Sequence, residues 1–321
     1  MRPMKNARDL GIALALETWF ATARRPMPWR LHPSPYACWL SEIMMQQTTY
    51  ASVLPYYTRF LKRFPTVEKL AAASEADVLK AWEGLGYYAR ARNLRKAAQG
   101  FVRDGRPAWP RSAAEWRDVP GVGPYTAAAL ASVLGGERVP VVDGNVARVF
   151  ARFWELADDF KKLPARQRLA ARLQPEIDRA DNPGDFNQAM MELGALVCTP
   201  TSPDCGACPL AAGCAAHRHG TQEKFPTKAG KKELPVRRVQ AVVVTNERGE
   251  VLLVQNREGG LLKGLWELPT VEASASVSQT FSHFKLELET FRAIRRDAEF
   301  RNPRDVPLTT ATRKALAAYG C

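Results

Sequence analysis

The spacing of apolar residues divides the chain into a long helical part and a shorter part with strands. Between residues 7 and 220, apolar side chains recur at intervals of three and four, as in an amphipathic helix. Gly100, Pro120 and Pro164 are predicted to mark helix ends. The predicted helices span 7–23, 36–47, 51–64, 93–102, 125–134, 146–156 and 186–197.

After residue 220 the pattern changes. A polar, basic stretch predicts a linker over 221–235, which separates a helical domain over 1–220 from a second domain over 236–321. The alternation of apolar and polar residues predicts strands. These strands span 239–245, 251–255 and 281–291, with a hairpin turn over 246–249.

The composition shows an excess of basic over acidic residues. Lys and Arg number 46 against 33 Asp and Glu, which gives a net charge of +13. Such an excess suits a polyanionic partner, although it also serves solubility. No apolar run reaches the length of a membrane span, and the first ten residues lack an export signal. We therefore expect a protein of the reducing cytoplasm with no membrane partner.

Four cysteines are clustered within a short segment. Cys198, Cys205, Cys208 and Cys214 follow a C-x6-C-x2-C-x5-C spacing. In a protein that is not exported, such a cluster indicates metal ligation and not disulfides. Four thiolates suit zinc or an iron–sulfur centre, and the spacing alone does not choose between them.

A glycine pair precedes one predicted helix. Gly121 and Gly123 stand in the sequence VPGVGPYTA, directly before the helix that Pro124 begins. Two glycines separated by one residue form a tight turn, whose N–H groups suit a phosphate at a helix N-terminus. This helix–hairpin–helix pattern is typical of proteins that bind DNA independently of its sequence.

Two carboxylates are candidates for acid–base chemistry. Glu42 lies on a helix among apolar residues, with Ser34 and Pro35 as its predicted start, so that its pKa should be raised. Asp143 ends an apolar run and precedes a helix. The alternatives are a solvated face for Glu42 and an N-cap for Asp143.

The order of these motifs resembles the MutY-type adenine DNA glycosylases of the endonuclease III-like helix–hairpin–helix superfamily. The motifs are SEIMMQQT at 41–48, GLGYYARARN at 84–93, the glycine hairpin, VDGNV at 142–146 and the cysteine spacing. The resemblance implies a mainly α fold with a two-lobed, all-helical glycosylase domain. It also implies a small α+β Nudix-like domain at the C-terminus, although this chain departs from the family pattern in that the segment between Pro269 and Phe281 is shortened.

The resemblance also implies roles for the candidate residues. Glu42 matches the general acid, and Asp143 matches the carboxylate that stabilises the developing sugar cation. Tyr125 stands where the lyase branch carries a Schiff-base lysine, and its phenol implies base removal without efficient strand cleavage. The four cysteines match the ligands of a 4Fe–4S cluster.

Further residues match positions that contact DNA in this family. Gln47 and Tyr87 match residues that insert beside the lesion, although Tyr87 is also a candidate for core packing. The basic run from Arg90 to Lys96 would meet phosphates or form a solvated face. The remaining matches are Arg25, Trp29, Gln188 and Asn145 around the extruded adenine, and Phe281, Ser282 and His283 at 8-oxoguanine.

The predicted function is removal of adenine mispaired with 8-oxoguanine or guanine in double-stranded DNA, by a monomer. No acidic Nudix box follows Pro269, because 270–280 is short and rich in Ser and Ala, so pyrophosphatase activity is not expected. One alternative is an endonuclease III-type pyrimidine-lesion glycosylase/lyase. A second is an iron–sulfur DNA-binding scaffold without catalysis.

Overall fold

A computed structural model describes residues 7–103, 106–227, 239–257, 262–280, 285–293 and 298–319. The chain divides into two compact units, each formed by two separate segments. The first unit comprises Met1–Ile43 and Ala108–Lys232, and the second comprises Met44–Pro107 and Glu233–Cys321. The predicted division at a linker over 221–235 stays a prediction. Within the described ranges, no helix has both the length and the apolar character needed to cross a bilayer.

The described residues are mainly helical, as the apolar spacing predicts. The helices are α1 (Ala7–Ala23), α2 (Pro28–Leu31), α3 (Pro35–Met45), α4 (Tyr50–Arg63), α5 (Val67–Ala72), α6 (Glu75–Trp82), α7 (Ala89–Phe101), α8 (Ala113–Arg117), α9 (Pro124–Gly135), α10 (Gly144–Trp154), α11 (Leu163–Arg179), α12 (Pro183–Leu196), α13 (Ala215–His219) and α14 (Thr310–Ala318). The strands are β1 (Val102–Arg103), β2 (Arg106–Pro107), β3 (Gln240–Ala241), β4 (Val251–Gln255), β5 (Trp266–Glu267), β6 (Thr270–Thr280), β7 (Lys285–Ala293) and β8 (Glu299–Arg301).

Helix α12 lies at the centre of the first unit. Its residues Phe186, Ala189, Met190 and Leu193 are fully buried, and their spacing of three, one and three residues places them on one face. The helix packs against α1, α9 and α10. Because α9 carries Tyr125 and α10 begins directly after Asp143, this packing sets the positions of both candidate residues.

The interpretation of Pro164 as a helix end is wrong. Pro164 lies in the first turn of α11, which continues to Arg179. A proline is tolerated there because the N–H groups of the first turn have no partner within the helix. Gly100 lies within the last turn of α7, one residue before the helix ends.

In the described residues, the second unit combines α4–α7 and α14 with three small antiparallel sheets. The sheets have the strand orders β1-β2, β3-β6-β7 and β5-β4-β8. The predicted strand 251–255 is confirmed as β4, and the predicted turn 246–249 closes with a bond from Gly249 N to Asn246 O of 3.0 Å. The predicted strand 239–245 is reduced to β3 and one bridge at Thr245. The Ser- and Ala-rich stretch 270–280 is the long strand β6, which pairs with β7.

Candidate active site

Glu42 lies on α3, in a largely apolar environment. The helix begins at Pro35, where Ser34 Oγ accepts a hydrogen bond of 3.1 Å from the N–H of Ala37. This contact confirms the predicted start. Neighbouring side chains such as Trp39 and Leu40 are fully buried. Burial raises the pKa of Glu42 to about 7, with the nearby Asp143 as a second cause, and Arg30 acts in the opposite direction. A large fraction of Glu42 is therefore protonated near neutral pH.

Asp143 is the N-cap of α10. One oxygen, Oδ1, accepts a 2.7 Å bond from the N–H of Val146, and Oδ2 accepts a 3.0 Å bond from Asn145 Nδ2. Burial raises the pKa of Asp143 above its ordinary value, while these hydrogen bonds act against the shift. Asp143 therefore caps α10 and also lies close to Glu42.

The backbone around Asp143 is held by groups that the sequence analysis did not identify. Asn187, fully buried on α12, accepts from the N–H of Val141 at 3.0 Å and donates to the carbonyl of Val139 at 2.9 Å. Gly194 allows α12 to approach α10, because a Cβ at this position would lie 2.6 Å from the Cβ of Asn145. These contacts fix the short segment that ends at Asp143.

Asn145 holds the Asp143 side chain by a hydrogen bond. It was expected at the extruded adenine, and here its amide donates to Asp143 while its Oδ1 accepts a 2.8 Å bond from Arg148. Arg148 also donates to the carbonyls of Gly194 and Cys198, each at 2.8 Å. A continuous set of hydrogen bonds therefore joins Asp143 to the first cysteine of the cluster.

Tyr125 lies in the first turn of α9 and donates a 2.9 Å hydrogen bond to the sulfur of Met191. Burial raises the pKa of its phenol well above the ordinary value, and Glu42 and Asp143 raise it further. The hydroxyl therefore stays protonated and neutral beside the two carboxyl groups.

A buried ion-pair network contains two of the four residues expected at the adenine. Glu192, 1% exposed, accepts bonds from Arg25 at 2.7 and 3.0 Å and from Arg30 at 3.2 Å. Arg30 also donates to Gln188 Oε1 at 2.7 Å. Burial acts to raise the pKa of Glu192, but the two arginines outweigh it and the pKa is lowered. Trp29 is buried on α2.

Arg30 and Glu192 are absent from the residues that the sequence analysis selected. One signal for Glu192 was available, since an acidic residue on an otherwise apolar helix is almost never buried without a partner. Arg30 stands in a polar, proline-rich segment without a periodic pattern, so no local signal marked it.

The glycine hairpin has the expected geometry. A capping box formed by Ser112 and Glu115 begins α8. Gly121 adopts φ 82°, a left-handed conformation that favours glycine, and Gly123 is the N-cap of α9. Both glycines are exposed, so the N-terminus of α9 is open to a ligand.

The four cysteines line one cavity. No three His, Cys, Asp or Glu residues in the described part of the chain are grouped to hold a single metal ion. Arg152 points a guanidinium nitrogen at Cys198 Sγ, 3.4 Å away, and Gln222 donates to Cys205 Sγ at 3.7 Å. Burial raises the pKa of Cys208 to about 12. Four thiols that face one cavity, with donors aimed at two sulfurs, fit a multinuclear group whose positive charge would stabilise the thiolates.

The second unit carries the other expected DNA contacts. Gln47 and Tyr87 are exposed, so the core-packing alternative for Tyr87 is wrong. Arg90 is buried, and the expectation that it meets phosphates or a solvated face is also wrong. Arg95 donates to the carbonyl of Ala73 at 2.7 Å. The predicted contacts with 8-oxoguanine, Phe281, Ser282 and His283, lie outside the described residues.

Three comparisons place the chain among known proteins. A family profile described as the HhH-GPD superfamily of base excision DNA repair proteins matches residues 40–175. The adenine DNA glycosylase of Homo sapiens is 37% identical over 311 residues, which cover 80% of this chain and 57% of the human protein. The adenine DNA glycosylase of Buchnera aphidicola subsp. Acyrthosiphon pisum is 34% identical over 256 residues, which cover 80% of this chain and 73% of that protein.

The fold matches a solved structure of a thermostable thymine-DNA glycosylase. The TM-score is 0.57 at 26% identity, and the match covers 64% of this chain and 94% of that chain. The chain spans less than two thirds of the human relative's length, but more than two thirds of the Buchnera protein. The resemblance predicted from the motifs is therefore confirmed: the chain belongs to the adenine DNA glycosylase family.

Proposed function

We propose that this protein hydrolyses the N-glycosidic bond of adenine mispaired with 8-oxoguanine or guanine in double-stranded DNA. The observation that carries the proposal is the pairing of two carboxyl groups in different environments. Glu42 has a pKa of about 7, which suits a proton donor at neutral pH. Asp143 accepts two hydrogen bonds, which favour its ionised form.

Glu42 and Asp143 have separate roles in the reaction. Glu42 donates its proton to N7 of an adenine that has left the base stack, which makes the base a better leaving group. The glycosidic electron pair departs with the base, and Asp143 stabilises the oxocarbenium-like sugar. Water then adds to the sugar carbon and returns a proton to Glu42, which leaves free adenine and an abasic site.

Tyr125 determines the reaction class. A Schiff base requires an amine, and the phenol at this position can only donate or accept a hydrogen bond. We therefore assign a monofunctional reaction, in contrast to the endonuclease III-type alternative. Borohydride reduction during turnover separates the two, since a lyase becomes covalently trapped on DNA and this protein should not.

Several polar groups support recognition of the extruded adenine. Arg25, Arg30, Glu192 and Gln188 form one hydrogen-bonded network, and guanidinium and amide groups are of the kind that can bond a purine edge. Extrusion is assigned to Gln47 and Tyr87, which would fill the space beside the lesion. Recognition of 8-oxoguanine is assigned to Ser282, with Phe281 and His283, on the Nudix-like domain over 236–321.

The cysteine cavity is assigned to a 4Fe–4S cluster, held by Cys198, Cys205, Cys208 and Cys214. When bound, the cluster supplies a multinuclear cross-link for the loop between α12 and α13. The hydrogen-bond donors on Arg152 and Gln222 support this choice, since hydrogen bonds to the sulfur ligands are typical of such sites. Arg148 donates to the carbonyl of Cys198 and to Oδ1 of Asn145, and so links the first cysteine to the residue that bonds Asp143.

The direct test uses duplexes with adenine opposite 8-oxoguanine, guanine, cytosine and thymine, labelled on the adenine strand. We expect alkali-labile sites opposite 8-oxoguanine and guanine, and no strand cleavage before alkali. Intact adenine strands in every duplex would favour the scaffold alternative. Cleavage without alkali, or activity on a damaged pyrimidine in place of adenine, would favour the lyase alternative.

A further inference from the structure

Gln47 and Tyr87 share an unusual backbone conformation. Gln47 has φ 55° and Tyr87 has φ 49°, in the left-handed region that non-glycine residues rarely adopt. Both side chains are exposed, and Tyr87 is 54% exposed. An exposed side chain gains little from packing, so other contacts must hold this strained backbone in place.

Arg90 supplies contacts to both segments. Its Nη1 donates to the carbonyl of Met44 at 2.8 Å and to the carbonyl of Gln46, directly before Gln47. Its Nη2 donates to the carbonyl of Gly86 at 3.2 Å, directly before Tyr87. One planar guanidinium therefore binds the residues that precede both strained positions.

The surroundings of Arg90 strengthen this link. Nη2 also donates to Thr48 Oγ1 at 3.3 Å, on the far side of Gln47. The guanidinium carbon lies 5.4 Å from the centre of the Tyr87 ring and 5.3 Å from that of Trp82, within cation–π range. Only 8% of Arg90 is exposed, and burial lowers its pKa to about 10, so the side chain stays charged at neutral pH.

We propose that Arg90 is a positioning residue that holds Gln47 and Tyr87 together as one DNA-inserting unit. The inference rests on the proposed function, because that function assigns both residues to the space beside the lesion. It adds that the two side chains do not act independently. A lysine cannot replace the arginine, since an ammonium group lacks the planar fork that reaches two separate segments.

The test compares Arg90→Lys with the wild type in the full, cluster-loaded chain. We expect the single-turnover excision rate to fall at least about tenfold, with a smaller change in duplex affinity. The matched control is Arg138→Lys, in the first unit, where the arginine donates to three carbonyls at the end of α11. A rate for Arg90→Lys equal to that of the control would overturn the proposal.

A double-mutant cycle separates positioning from general stability. Arg90→Lys is repeated in a Gln47→Ala, Tyr87→Ala background, where the inserting side chains are absent. If Arg90 acts through them, its substitution should now change the rate by less than about threefold, although the melting temperature falls as before. An undiminished effect in this background would contradict the proposal.

If Arg90→Lys does not fold, Thr48→Val provides a milder test. Thr48→Val removes one acceptor of the guanidinium and should lower the rate in the same direction, by less. A Thr48→Val rate equal to that of the wild type would contradict the proposal. Failure of the proposed function is distinguishable, because the wild type itself would then release no adenine.

Discussion

At the scale of single residues, the proposed reaction depends on two carboxyl groups, Glu42 and Asp143, that lie in different environments. Burial raises the pKa of both Glu42 and Asp143, but Asp143 receives hydrogen bonds that favour its anion. For Glu42, the nearby cation Arg30 acts against burial and lowers the pKa. A proton donor and an anion can therefore coexist near neutral pH, which the proposed reaction requires.

The pH dependence of excision should report the ionisation of Glu42. The protonated form is active and its pKa is about 7, so kcat/KM should fall as the pH rises above about 7. Arg30→Gln removes a positive charge that favours the ionised form, and should shift this limb to higher pH. The measurement is the single-turnover rate against pH with subsaturating enzyme. A rate that rises steadily through this range would contradict the assignment.

Substitutions of Asp143 should separate its charge from its capping role. Asp143→Asn keeps a good N-cap but removes the anion, so we expect loss of excision with nearly unchanged stability. Asp143→Ala removes both and should also lower the free energy of unfolding by about 1 kcal/mol. Denaturant unfolding and excision assays on the two variants test this pair. Substantial excision by Asp143→Asn would show that the anion is not required.

At the scale of elements, the hairpin between α8 and α9 has the tight turn that the glycine pair predicts. Its tight turn depends on Gly121, whose φ of 82° is costly for any residue with a Cβ. Gly123, in contrast, has φ −90° and ψ 175°, which any residue adopts. A methyl group at Gly123 would meet open space, since no heavy atom beyond its chain neighbours lies within 4 Å of where the Cβ would stand.

Gly121→Ala should weaken binding to every duplex, since the turn that directs N–H groups outward would be strained by about 1–2 kcal/mol. Gly123→Ala should retain more of the affinity, because its backbone needs no change. Binding to matched and mispaired duplexes at one salt concentration checks both variants. Equal affinities for the two variants would exclude the hairpin geometry as the cause.

Elements with strong periodicity could be predicted from the sequence. The spacing locates α4 and β4 to within a residue, because α4 buries the periodic residues Val53, Tyr57 and Phe60, and β4 is a short and mainly apolar run. It misses α5 and α6, which are too short to show a period, and α11, where Pro164 suggested an end. It also misses β6, whose small Ser and Ala residues carry no strong apolar alternation.

Local motifs also single out Glu42 and Asp143 as candidates, whereas the residues that support them could not be predicted. Glu42 and Asp143 stand in recognisable local patterns. Asn187 and Arg30 act through partners far away in the sequence, such as Val141 and Glu192. A single sequence contains no local signal for such pairs. The prediction for Arg90 was wrong in the opposite way. The basic run predicts an exposed residue, and the structure has it buried.

At the scale of the whole molecule, the cysteine cavity and the active site belong to the same unit. Arg152 holds the loop around the cysteines by donating to the carbonyls of Thr199 and Pro200 at 2.7 and 3.1 Å. It also donates to the carbonyls of Gln222 and Phe225 at 2.8 and 3.0 Å. Arg152 therefore bonds the chain near the start of the cysteine segment and again after its end.

Substituting Cys208 should test the cluster without reference to activity. The purified wild type should contain iron and acid-labile sulfide in equal amounts and absorb broadly in the visible range. Cys208→Ser should lose most of the iron and melt at a lower temperature, because the cross-link of the loop is lost. Cys38→Ser, a buried cysteine outside the cavity, is the matched control for thiol removal. Stoichiometric zinc in place of iron would overturn the cluster assignment.

The proposed role of Glu42 is tested by single-turnover excision with Glu42→Gln on a duplex with adenine opposite 8-oxoguanine. Glutamine keeps the shape of the side chain but cannot donate the proton, so the rate should fall by at least about a hundredfold. Duplex affinity, measured on the same preparation, should stay unchanged. Release of adenine by Glu42→Gln at the wild-type rate would contradict the central claim that Glu42 is the general acid.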